Sequence, residues 1–103
     1  MAYKKRKKEE PIQYEYDWYD CWWEDASSDC VWKKIKEAET DKPVMCYTGG
    51  YLLKKTKDSH IFVMSFSDDE IGDQMIIPSK NIKKLTKQFS KTFYVKDFLY
   101  ENY

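Results

Sequence analysis

The sequence predicts a mainly-β chain: a small five-stranded antiparallel sheet with one short helix and an extended C-terminal tail. Two observations predict it. Three apolar runs, residues 44–56, 60–66 and 74–78, are divided by polar or turn-forming residues, and residues 12–24 alternate ahead of them. Residues 1–11 read as a flexible basic terminus, 12–88 as the sheet domain and 89–103 as an aromatic tail that contacts another subunit.

In the first strand, Tyr14, Tyr16 and Trp18 fall on one face and Glu15, Asp17 and Tyr19 on the other. Trp22 and Trp23 continue it, so one tryptophan points inward and one outward. Ala26-Ser27-Ser28-Asp29 then forms a turn or helix start, with Ser27, Ser28 or Asp29 as the cap. Val31, Ile35 and Ala38 recur at helical spacing, and Lys33 and Glu37 stand four apart as a helical ion pair. Thr40-Asp41-Lys42-Pro43 ends this short helix.

Gly49-Gly50 is flanked by apolar residues on both sides, which suits either a two-residue hairpin turn or a bend in one long strand. The bend is preferred, because the polar residues 54–59 already provide a hairpin turn. Residues 61–66 carry apolar side chains on both faces, as expected of a strand with a core on one side and another element or subunit on the other. Pro78 cannot donate to a ladder, so the strand ends there and Ser79-Lys80-Asn81 turns into Ile82-Lys83-Lys84-Leu85.

Eighteen basic residues balance 18 acidic ones, so no global field draws the chain to nucleic acid or an anionic membrane. The distribution is uneven. Lys4 to Lys8 form a basic head, eight acids and no base lie between Glu9 and Trp32, and six lysines and no acid lie between Lys80 and Lys96. Arg6 is the only arginine, which argues against duplex DNA as a partner. Cys21, Cys30 and Cys46 lack paired spacing, and no apolar signal segment or membrane span is visible, so a cytosolic location is expected.

No catalytic or metal-binding constellation stands out, and neither an enzyme nor a cofactor is expected. His60, the only histidine, reads as an exposed strand-start residue, and nothing orients it toward Cys46. Asp68, Asp69, Glu70 and Asp73 lack the spacing of a calcium loop and read as a solvated turn.

The order Trp23-x-Asp25-Ala26-x-Ser28, Trp32, Thr48-x-Gly50-Tyr51-Leu52-Leu53 and Ile76-Ile77-Pro78-Ser79-Lys80 resembles a group of short phage-encoded proteins, over about residues 18–85. The isoleucine-proline strand end before a tight turn also resembles SH3-like and Sm-like small barrels. That resemblance implies a closed barrel over residues 12–88, a bacterial host cytoplasm, and interference with host defence.

Two functions follow as expectations. In the first, the chain sequesters a nucleotide-derived immune signal as a sponge: Trp23, Trp32 and Tyr51 stack on bases, Asp25 and Ser28 bond a base edge or ribose hydroxyl, Gly50 lets backbone approach, and Lys80 meets a phosphate. The competing assignment places Trp23 in the core and Asp25 and Ser28 in a turn. In the second, an acidic, aromatic face from Tyr14 to Trp32 docks on a host protein. Either way, the surplus aromatics at Phe89, Phe93, Tyr94, Phe98, Tyr100 and Tyr103 call for a homo-oligomer.

Overall fold

The computed structural model describes residues 10–27 and 31–103. The basic head, capping by Ser28 or Asp29, and Ser28 as a ligand contact lie outside the described residues. Five strands form the main sheet: β1 (Ile12–Asp25), β2 (Val44–Lys55), β3 (Ser59–Val63), β6 (Met75–Pro78) and β7 (Ile82–Tyr94), in the order β6-β3-β2-β1-β7. Two short strands, β4 (Ser65–Phe66) and β5 (Ile71–Gly72), form a separate hairpin. Every pairing is antiparallel.

The expected barrel is corrected to an open sheet. β6 and β7 occupy opposite edges, and no ladder joins them. Only the 3-10 turn Ser79–Asn81 separates them in sequence, so the two edges converge at that corner and the sheet curls around its core. Cys21, Phe62 and Ile77 are buried inside the curl, with Tyr19, Trp23, Leu52, Ile82 and Leu85 packed against them. Alternation decides this face: Tyr19, Cys21 and Trp23 share one side of β1. Trp22 points the other way and is 43% exposed, as the neighbouring tryptophans required.

β2 passes straight through Gly49-Gly50, with no positive φ at either glycine, and its register with β1 is unbroken there. The irregularity lies farther on, where β2 shifts against β3 between Leu52 and Lys54. The expected strand over 60–66 is interrupted at Met64. Its backbone N–H bonds to Gly72 at 3.4 Å, which diverts the chain from β6 toward β5. Asp73, at φ 56°, turns the chain back into β6, and its carboxylate accepts a hydrogen bond from Ser65 Oγ at 3.0 Å.

Two further corrections concern the helix and tail. α1 covers only Ile35–Ala38, has no side-chain cap, and leaves Ile35 78% exposed. Because the helix starts after Lys33, that lysine does not share a helical face with Glu37; it pairs instead with Asp41 at 2.8 Å. The tail is partly strand: β7 continues to Tyr94, because Phe89 and Phe93 find cross-strand partners in Trp18 and Tyr14. Beyond it, Val95 N–H bonds to Pro11 O at 3.0 Å, Lys96 pairs with Glu10 at 2.6 Å, and the Asp97 carboxylate caps Tyr94 N–H at 2.8 Å. No helix among the described residues is long and apolar enough to cross a membrane.

Candidate functional site

The face of the sheet opposite the core carries a second apolar system. β1 pairs with β2 only from Trp18 onward but with β7 from Ile12, so its first half projects beyond β2 as a two-stranded ribbon. Alternation places Tyr14, Tyr16, Trp18 and Trp22 on this outer face, opposite Phe93, Lys91, Phe89 and Lys84 of β7. Trp18 stacks on Phe89 at 5.9 Å between centroids and meets Tyr51 edge-on at 5.2 Å. Tyr51 in turn contacts Phe66 and Phe93, and Tyr14 contacts Phe93 and Phe98. Such offset and edge contacts are the preferred geometry between aromatic rings.

At one end of this face, Trp22 and Tyr47 lie 5.0 Å apart, and Met45 follows on the same side of β2. Tyr47 donates its hydroxyl to Asp20 Oδ1 at 2.6 Å, and Gln88 donates to Asp20 Oδ2 at 2.6 Å. The hydrogen bond to Asp20 raises the Tyr47 phenol pKa, with burial and the aspartate charge adding to it. Gly49 is required here. A Cβ at this position would stand 2.6 Å from the Tyr47 hydroxyl oxygen and 2.9 Å from Trp18 Cζ2.

At the other end, the β4–β5 hairpin packs beside the ribbon, and an open cavity of about 320 Å³ lies between them. Tyr14, Tyr16 and Phe66 form its floor, with Tyr16 and Phe66 stacked at 5.5 Å and 10°. Asp68, Asp69 and Glu70 form its rim, and Gln13 and Ile71 complete the wall. The rim is fixed by bonds to its backbone carbonyls: Ser67 N–H to Glu70 O at 2.8 Å, Gln13 Nε2 to Asp68 O, and Tyr14 hydroxyl to Ser67 O. Burial raises the Tyr14 phenol pKa, and Tyr16 and Asp68 raise it further. The carboxylates of Asp68, Asp69 and Glu70 have neither a hydrogen-bond nor an ion-pair partner among the described residues. Acids on β1 behave differently. Glu24 pairs with Lys83, Asp17 with Lys87 and Ser90, and Glu15 accepts from Thr92.

The residues named from sequence for a nucleotide site are dispersed. Trp23 packs on the core, and its indole N–H donates to Thr48 Oγ1 at 3.0 Å. Asp25 ends β1 and accepts from Ala26 N–H at 2.8 Å, which is a turn contact. Gly50 is buried on the core side, opposite Tyr19, whereas Tyr51 belongs to the outer aromatic system. Trp23 and Lys80 lie toward the same end of the sheet, since Trp23 is paired with Ile82 just after Lys80; Tyr51 pairs farther along, with Trp18. Trp32 is 99% exposed. His60 is corrected from exposed to buried, with its Nδ1 2.8 Å from Ser79 Oγ.

The outer face was half legible. The alternation of Tyr14, Tyr16 and Trp18 marks it, but nothing local shows that Phe66 and Asp68 to Glu70 pack beside it from a distant hairpin. Among the described residues, no group of three or more His, Cys, Asp or Glu side chains is placed to hold a metal ion. Family models, curated proteins and solved structures give no match to this chain.

Proposed function

We propose that this chain is a non-enzymatic binding module that takes a protein partner on the outer face of its sheet. The observation that carries the reading is the exposure of Trp22, Met45 and Tyr47, which are neighbours on β1 and β2 and remain 43%, 53% and 50% exposed. Aromatic and methionine side chains are enriched at interface centres, and tryptophan and tyrosine dominate binding energy there. The curled sheet, with its first strand between the second and the last, supports an SH3-like or Sm-like ancestry. On the resemblance to phage-encoded proteins, the partner is a defence or regulatory protein in the cytoplasm of a bacterial host.

The test is recovery of the tagged chain from host cells, followed by native mass spectrometry. A defined protein partner in fixed ratio is expected with the wild type. Trp22→Glu should abolish it while the chain keeps its folded β-sheet circular dichroism spectrum. Retention of that partner by Trp22→Glu would refute the outer face as the docking surface.

Trp32 favours a second reading, the nucleotide sponge, because its fully exposed indole is free to stack on a base. Lys80 is exposed as well and supplies a phosphate contact. Calorimetry against cyclic di- and trinucleotides and adenosine-diphosphate-ribose derivatives tests it. Trp32→Ala and Lys80→Ala should each weaken binding roughly tenfold, and the ligand should be recovered intact.

A further inference from the structure

The cavity beside the β4–β5 hairpin combines two features that select the same chemistry. Its floor is the stacked pair Tyr16 and Phe66 with Tyr14 beside them, and its rim is the trio Asp68, Asp69 and Glu70. Aromatic faces carry negative charge density and attract cations, most strongly those, such as guanidinium, that are weakly hydrated and planar. The rim carboxylates add full negative charges that no described side chain neutralises, although the chain matches Glu10, Asp17 and Glu24 with Lys96, Lys87 and Lys83. A phosphorylated ligand would be repelled by that rim. The volume of about 320 Å³ is at the small end of ligand cavities, which suits one side chain better than a dinucleotide.

We infer that this cavity receives an arginine or lysine side chain from an extended basic segment of the partner protein. The inference rests on the protein-binding reading above and gives that partner its chemistry. The aromatic floor holds the aliphatic stem and the cationic plane, and the carboxylates take the N–H donors. Arginine is preferred over lysine, since its planar head stacks on the ring floor while its edge donors reach the rim.

The test is a nuclear magnetic resonance titration of the full chain with the peptide Ac-Gly-Arg-Gly-Arg-Gly-NH2 and with its citrulline twin, which keeps the shape and loses the charge. Saturable shifts are expected at Tyr14, Tyr16, Phe66 and the rim. The citrulline peptide should bind at least roughly tenfold more weakly, and so should the arginine peptide to the variant combining Asp68→Asn, Asp69→Asn and Glu70→Gln. Raising salt from about 0.05 to about 0.5 M should weaken the arginine peptide toward the citrulline level. Tyr16→Leu, checked for an intact spectrum, should also lose affinity. Equal binding of the two peptides, unchanged affinity in the neutralised variant, or shifts confined to another surface would overturn the inference. Should the peptide fail while Trp22→Glu still removes a protein partner, this inference falls and the protein-binding reading stands. Cavity binding without any partner loss in Trp22→Glu has the opposite outcome.

Discussion

The Nδ1 of His60 lies 2.8 Å from Ser79 Oγ, and this contact ties β3 to the turn on which the two sheet edges converge. Ser79 Oγ donates its own proton to Thr56 O at 2.8 Å, so the imidazole donates to Ser79 through Nδ1–H. Ser79 N–H bonds to Asp58 O at 3.0 Å in the same corner. Burial lowers the His60 pKa below its ordinary 6.5, and Lys55 lowers it further.

The pH dependence follows from that direction. Above about pH 6.5 the imidazole is neutral in both the folded and the unfolded chain, and stability is complete. As pH falls below this value the unfolded chain binds the proton first, so stability declines until the folded-state pKa is passed. Thermal melts between about pH 8 and about pH 5 should show this decline, and the single histidine resonance should titrate below 6.5. Ser79→Ala, which leaves a buried donor unpaired, should cost on the order of 1–3 kcal/mol. A resonance titrating above 6.5 would contradict the buried assignment.

Gly49 and Gly50 differ in what a side chain would meet. At Gly49 a Cβ collides with Tyr47 and Trp18, whereas at Gly50 the nearest atom is Val63 O at 3.3 Å. Gly49→Ala should therefore displace the Tyr47 hydroxyl from Asp20 and cost roughly 1–3 kcal/mol in overpacking. Lys57→Ala, in the exposed hairpin turn, should change stability by less than about 0.5 kcal/mol. Denaturant melts of the two variants make the comparison, and equal midpoints would show that the ring contact around Gly49 has no energetic consequence.

Thiol chemistry distinguishes two positions on the core side of β1 and β2, since Cys46 pairs with Trp23 on the face that carries Cys21. Cys21 is fully buried, and burial pushes its pKa up to about 11, whereas Cys46 is partly exposed. Brief iodoacetamide treatment of the native protein at neutral pH should label Cys46 and spare Cys21, as read by peptide mass mapping. Denaturation should equalise them. Early labelling of Cys21 would mean that the core opens readily.

The tail leaves apolar surface uncovered after Phe93 and Phe98 have joined the outer aromatic system. Leu99, Tyr100 and Tyr103 are 44%, 91% and 88% exposed. A homo-oligomer held by this tail is the expected state, and light scattering should give a multiple of the 12.5 kDa chain mass at micromolar concentration. Leu99→Ser combined with Tyr100→Ser should return it to the monomer. A wild-type protein that stays monomeric and soluble would defeat the prediction.

The sequence by itself determined several strands and their ends, because those are local properties, but not the break at Met64 or the reach of β7 to Tyr94. Alternation at period two marks β1, the polar run between Leu53 and Ser59 forces a hairpin, and Pro78 ends β6 for want of an N–H. Which face becomes the core was not local. Both sides of β1 carry large rings, Tyr14, Tyr16 and Trp18 against Tyr19 and Trp23, so periodicity reports the alternation without choosing between the faces. Tertiary structure made that choice by curling the sheet through the Ser79–Asn81 corner, which buried Cys21 with Phe62 and Ile77 and drew His60 inside. It also decided the cavity, since Phe66 reaches Tyr14 and Tyr16, and Ser67 and Asp68 reach Tyr14 and Gln13, across 50 or more residues of chain through the fold of β4 and β5. The unmatched carboxylates, by contrast, could be recognised only by elimination: Asp17 and Glu24 of β1 find lysines on β7 because the two strands pair, and the hairpin acids, outside that ladder, do not.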